Sequence, residues 1–198
     1  MPMINFQELV QTFGSRMKVL EILCLLNDCK DVVRQGFYEH ELQKVKDFCG
    51  QHGLFIEISR NKLKIEDNDF FSNRGVISDS GMLLVYISKD ELKAAGTCLF
   101  ETRHNHRSTG LALGYPDCCV RYFCEQFAIG NINPVHQPTN QWTNLLLREQ
   151  DICLVSHFPC SSDCAESIAI AQRNFDILRQ EDEKMARLFF EHLQQQDG

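Results

Sequence analysis

Leu54-Phe-Ile-Glu-Ile-Ser59 and Lys62-Leu-Lys-Ile-Glu-Asp67 alternate apolar and polar side chains on either side of Arg60-Asn61. A period of two marks half-buried strands, and the pair between the runs predicts a hairpin turn. Helical spacing precedes it. Residues 38–52, YEHELQKVKDFCGQH, place Leu42, Val45, Phe48 and Cys49 on one face, with a stop at Gly50 or Gly53. Upstream, RMKVLEILCLLN at 16–27 is apolar on every side and fits a buried helix or a buried strand. Downstream, MLLVYIS at 82–88 follows the turn-rich Ser78-Asp79-Ser80-Gly81 and reads as a third strand. Ser88, with Glu91 three residues later, predicts a capping box for a helix ending near Glu101. Strands followed by helices give an α+β class.

The second half changes character. Residues 102–117, TRHNHRSTGLALGYPD, read as a loop, and a helix is expected from Pro116 to about Ala128. A Gly/Asn/Pro connector at 130–138, a short helix at 139–149 and a short strand at 152–156 are expected next. From Asp163 to about Gln195 neither Gly nor Pro occurs. Ile168, Ala171, Phe175, Leu178, Met185, Phe189 and Leu193 form a stripe interrupted by Asp182, which reads as one long amphipathic helix. The division expected is a small mixed α+β subdomain at 1–75 and a mainly helical, cysteine-rich domain at 76–198, or one continuous domain.

Composition narrows the function classes. With 198 residues, 43% hydrophobic and 24% charged, the chain is that of a globular protein long enough to bury its own core. A net charge of −7 lacks the basic footprint of a nucleic-acid binder. There is no apolar run of about eighteen residues to span a membrane, and MPMINFQELVQTFG lacks signal-peptide features. A cytoplasmic location is therefore expected. There, ten cysteines read as thiols or metal ligands rather than disulfides.

Six of those cysteines fall between 118 and 164, and four lie in two proline-led motifs. The first is Gly114-Tyr-Pro-Asp-Cys-Cys119. The second is Ser156-His-Phe-Pro-Cys-Ser-Ser-Asp-Cys164. Each places cysteine near a helix start, where unpaired N–H groups and the positive dipole end lower a thiol pKa. Cys118, Cys119, Cys160 and Cys164 are thus candidate ligands for zinc or an iron–sulfur cluster. His157 is a further ligand, a partner behind the ligands, or a general base activating Cys119 or Cys160 as a metal-free nucleophile. If 157–164 is helical, His157, Cys160 and Cys164 share a face; if Asp163 caps a helix with Glu166, Cys160 lies in the loop and Cys164 opens the helix. No Cys-x-x-Cys occurs, so the fold itself must assemble such a site. Cys24, Cys29, Cys49, Cys98 and Cys153 read as small core hydrophobes, and Cys124 as core filler or a neighbour of the site.

Leu113-Gly-Tyr-Pro-Asp-Cys-Cys-Val and His157-Phe-Pro-Cys-Ser-Ser-Asp-Cys-Ala-Glu-Ser resemble the domain-of-unknown-function 483 family of bacteria and archaea. The resemblance covers roughly 80–180. It implies that Gly114, Pro116, Cys118, Cys119, His157, Pro159, Cys160 and Cys164 match the family's pattern. No activity comes with it.

Ahead of the Cys-Cys pair, Arg103, His104, His106 and Arg107 form a candidate pocket for a small anionic substrate, with either arginine as the fork. A solvated polar loop is the plain alternative. His136 reads as connector and Trp142 as a core anchor. The apolar stripe of the last helix suits the protein's own core or a homodimer contact. A non-catalytic interaction protein with buried cysteines is the remaining reading, and the motifs name no reaction.

Overall fold

The computed structural model describes residues 6–64, 77–126 and 140–194. The expected connector at 130–138, with His136, and the end of the expected helix at Ala128 lie outside them.

The apolar stretch near the N-terminus is a helix. After α1 (Phe6–Phe13), α2 (Arg16–Leu26) starts at Ser15, whose hydroxyl accepts from Lys18 N–H. It buries Val19, Leu20, Ile22, Leu23, Cys24 and Leu25, more than one stripe, which explains why its sequence shows no clean period. Its N-terminus is capped from afar: Asp151 accepts from Ser15 Oγ at 2.5 Å and from the N–H groups of Arg16 and Met17 at 2.5 and 3.1 Å. Strand β1 (Val32–Phe37), a 3-10 turn at Glu39–Glu41 and α3 (Leu42–Gln51) follow. Gly53, at φ +65°, supplies the left-handed residue after α3.

The first alternating run and the start of the second, Lys62 and Leu63, form one strand, and residues 65–67 lie outside the described residues. β2 (Phe55–Leu63) pairs antiparallel with β3 (Met82–Ser88), and a register shift between Ile58 and Lys62 absorbs the residues read as a turn. A bulge keeps the alternation on both sides while adding unpaired residues, so the pattern mimics a hairpin. The reversal comes later, before β3, which lies between β1 and β2 in an all-antiparallel sheet. The central strand thus comes from beyond the expected 75/76 division, and residues from both sides share one core.

Alternation along β1 and β3 sorts side chains to two faces. Val33, Val85 and Ile87 join the main core with α1, α2, Ile152–Val155 and the C-terminal helices. Val32 and Tyr86 face the other way, with Ala94, Cys98 and Leu113. That second face is covered by α4 (Glu91–Thr102), whose N-cap is Asp90 rather than Ser88. Asp90 accepts from Leu92 and Lys93 N–H, while Ser88 Oγ donates to Asp31 O and accepts from Asp90 N–H.

Residues expected as a loop contain a helix, α5 (His106–Ala112), capped by Asn105, which accepts from Ser108 N–H. Gly114, at φ +74°, ends it, and Pro116 opens α6 (Asp117–Glu125). Residues 141–143 and 145–150 form 3-10 turns. The expected strand at 152–156 is irregular: Ile152, Cys153, Leu154 and Val155 are buried without entering a sheet, so their apolar run reflects burial alone. The C-terminal stripe is carried by α7 (Ala165–Glu181) and α8 (Glu183–Gln194), packed against each other across a break at Asp182, where φ is −151°. Phe189 is fully buried and Trp142 packs edge-on against Phe175, so much of the stripe is spent on the chain's own core.

Candidate metal centre

The α5–α6 turn and the start of α7 bring the two cysteine motifs together. Gly110 lets α5 and α6 approach closely, since a Cβ there would stand 2.7 Å from a Val120 methyl. Pro116 sets the first turn of α6, which holds Cys118 and Cys119 among N–H groups without helical acceptors. On the opposite side residues 157–164 are not helical; Cys160 lies in the loop and Cys164 itself, rather than Asp163, occupies the N-cap of α7. Thr143 Oγ1 donates to Ser162 O at 2.5 Å and ties that loop to the 3-10 turn.

One sulfur from each of Cys118, Cys119, Cys160 and Cys164 lies within 4.8 Å of all the others. The separations are 3.8 Å for Cys118–Cys119, 3.7 Å for Cys118–Cys164 and 3.6 Å for Cys119–Cys164. Thiolates bound to one ion at about 2.3 Å in a tetrahedron stand about 3.8 Å apart. These four cysteines could therefore hold a metal ion. None of the ten cysteines is in a disulfide.

Hydrogen bonds differentiate the thiols. Cys160 N–H donates to Cys119 Sγ at 3.3 Å, and Ser167 Oγ lies 3.3 Å from the same sulfur. Burial nevertheless pushes the Cys119 thiol well up and carries that of Cys118 to about 11. Burial acts on Cys164 too, but hydrogen bonds from Ser167, Cys119 and Cys118 overcome it and bring that thiol down to about 7. The site thus presents one ready thiolate beside two reluctant ones.

His157 is 4% exposed, and its Nε2 lies 2.8 Å from Ser167 Oγ, so it reaches Cys119 through that hydroxyl. Burial, with the positive charges of Lys30 and Arg148, lowers its pKa to about 3 and keeps the ring neutral. The Tyr115 ring lies 5.2 Å away, centroid to centroid. Of the other cysteines, Cys24, Cys49, Cys98 and Cys153 are buried, Cys29 is half-buried, and Cys124 is exposed on the last turn of α6.

A cavity of about 250 Å³ adjoins the sulfurs, with Cys119 and His157 in its wall. His104 and His106 line it as well, whereas Arg103 and Arg107 are exposed outside it, Arg107 pairing with Asp117 at 3.4 Å. The expected loop is partly helical, and the cap at Asn105 falls between Arg103-His104 and His106-Arg107. The arginines in the wall are instead Arg60 and Arg34; Arg34, on β1, pairs with Glu101 at 2.6 Å, and Tyr86 donates to the other Glu101 oxygen at 2.7 Å. Arg34, Tyr86 and Glu101 stand apart in sequence; strand pairing sets Arg34 opposite Tyr86, and the packing of α4 on the sheet adds Glu101. Ser167 was equally hidden, because a serine in a first helical turn reads as ordinary capping chemistry.

The chain matches none of the family models, curated proteins or solved structures with which it was compared.

Proposed function

We propose that the protein holds one zinc ion through Cys118, Cys119, Cys160 and Cys164, in a closed site that fastens α6 to the loop leading into α7. The observation carrying this reading is the sulfur grouping: separations of 3.6–3.8 Å among Cys118, Cys119 and Cys164 match the edge of a single-ion tetrahedron, and the Cys160 sulfur lies within 4.8 Å of all three. An iron–sulfur cluster interposes sulfides and more than one iron, which spreads thiolates bound to different irons. The close grouping therefore favours a mononuclear centre, and zinc is the ion whose structural sites most often take four thiolates. The same two segments carry the resemblance to the domain-of-unknown-function 483 family, and membership of that family is part of the proposal. Cytoplasmic residence belongs to it too, since reduced thiols are its requirement.

A metal-free nucleophile has less behind it. His157 is bonded to Ser167, and the Cys119 thiol is held protonated by burial.

Elemental analysis of the protein purified without oxygen tests the proposal. About one zinc per chain is expected, lost in Cys119→Ser and Cys160→Ser. Folded wild-type protein without metal would overturn it; several irons per chain and a visible charge-transfer band would replace zinc with a cluster.

A further inference from the structure

The cavity beside the cysteines contains chemistry that a structural metal does not use. Arg34 enters from β1 and is partly buried, with a side-chain exposure of 32%. Only its Nη1 is engaged, by Glu101; Nε and Nη2 have no partner among the described residues. A guanidinium that has given up much of its hydration while keeping most of its fork open is suited to a planar, two-oxygen acceptor. Its orientation is fixed from behind, because Glu101 is itself held by the Tyr86 hydroxyl. Burial and the neighbouring Glu101 charge push the Tyr86 phenol far up, so it stays a donor.

The rest of the wall is mixed. His104, His106 and Arg60 contribute polar groups, and Glu101 is the one carboxylate lining the cavity among the described residues. Leu63, Leu84, Leu113, Val120, Phe123 and Phe158 contribute apolar surface. At about 250 Å³ the space lies just below the range of roughly 300–1,000 Å³ usual for small-molecule sites. The occupant is therefore compact.

We propose that this cavity is a binding site for a small carboxylic acid with an apolar or aromatic body, its carboxylate on the open fork of Arg34 and its body against Leu84, Val120 and Phe123. Glu101 decides between anions. It cancels part of the local positive charge, which suits a monoanion and disfavours a dianionic phosphate. The site goes beyond the metal reading and does not depend on it, although Cys119 borders both.

Calorimetric titration of the full chain as purified, with phenylacetate, hexanoate and inorganic phosphate, tests the proposal. Phenylacetate is expected to bind with a Kd of about 1 mM or tighter, hexanoate comparably, and phosphate at least tenfold more weakly. Arg34→Lys keeps a cation for Glu101 but loses the fork, and should weaken phenylacetate about tenfold or more. Leu84→Phe fills the cavity and should abolish binding. It leaves the Arg34–Glu101 pair intact, so it stays informative if Arg34→Lys misfolds. No carboxylate binding by folded protein, phosphate binding as tight as phenylacetate, or affinity unchanged in Leu84→Phe would each overturn the proposal. Zinc content measured on the same samples reports on the metal reading separately.

Discussion

His157 meets the cysteine sulfurs through Ser167: its Nε2 lies 2.8 Å from Ser167 Oγ, which lies 3.3 Å from Cys119 Sγ. The hydroxyl is the joint between a neutral buried ring and a buried thiol. Ser167→Ala would leave the imidazole without that partner and the sulfur without a neighbour that favours its thiolate. The expected loss of stability is about 1–3 kcal/mol. Zinc affinity should fall roughly 10–100-fold, as is usual when a group orienting a ligand is removed. Denaturant titration and competition with a chromophoric chelator measure the two effects.

Acid sensitivity should follow from the same ring. The folded protein holds His157 down to about 3, whereas an unfolded histidine titrates near 6.5. Between these values the unfolded chain binds the extra proton, so this contribution is complete above pH 6.5 and lost as pH falls. The slope is at most about 1.4 kcal/mol per pH unit. His157→Gln keeps a polar partner for Ser167 and removes the titration. The difference between the pH profiles of the two proteins, from urea melts, isolates the imidazole.

Zinc binding should release protons. Cys118 and Cys119 enter with raised thiol pKa values, so each gives up its proton to the ion at neutral pH. At least about two protons per zinc are expected at pH 7.5, and affinity should rise steeply with pH. Calorimetry in buffers of different ionisation enthalpy counts them.

The α5–α6 contact leaves no room for a methyl group. Gly110→Ala places a Cβ 2.7 Å from one Val120 methyl and 3.3 Å from the other. Overpacking of this kind is expected to cost about 1–3 kcal/mol. Because α6 carries Cys118 and Cys119, zinc affinity should fall with stability in the same variant.

Capping at long range gives a further test. Asp151 sits at φ +57°, a conformation that aspartate tolerates, and accepts three hydrogen bonds at the start of α2. Asp151→Ala should lower stability by about 2 kcal/mol, whereas Asp151→Asn should retain much of it. Thermal melts of the two variants separate the cap from the charge.

What could be read from the sequence follows physical locality. The α+β class, the strand at 82–88 and the four sulfurs were legible because alternation, turn residues and proline-led cysteine motifs act over a few positions, although of the two prolines only Pro116 starts a helix. The bulge at Arg60-Asn61 was not, since pairing with β3, rather than any local signal, keeps the strand running. The single stripe after Asp163 likewise concealed a break, because two helices folded on one core can share one period. Arg34 and Tyr86 became neighbours only through the sheet, and Glu101 joined them only through the packing of α4 on it. His104 and His106 were found at the cavity wall, but the adjoining arginines turned outward at the cap of α5.

The sulfurs of Cys118 and Cys164 are 46 residues apart in sequence and 3.7 Å apart in space. An ion joining them would remove from the unfolded chain roughly the loop entropy that a disulfide of that span removes, about 4 kcal/mol at 25 °C. Such a cross-link answers to different chemistry from a disulfide: reductants leave it closed, while chelators and acid open it. Metal supply, rather than oxidation, would then set how firmly this part of the chain is fastened.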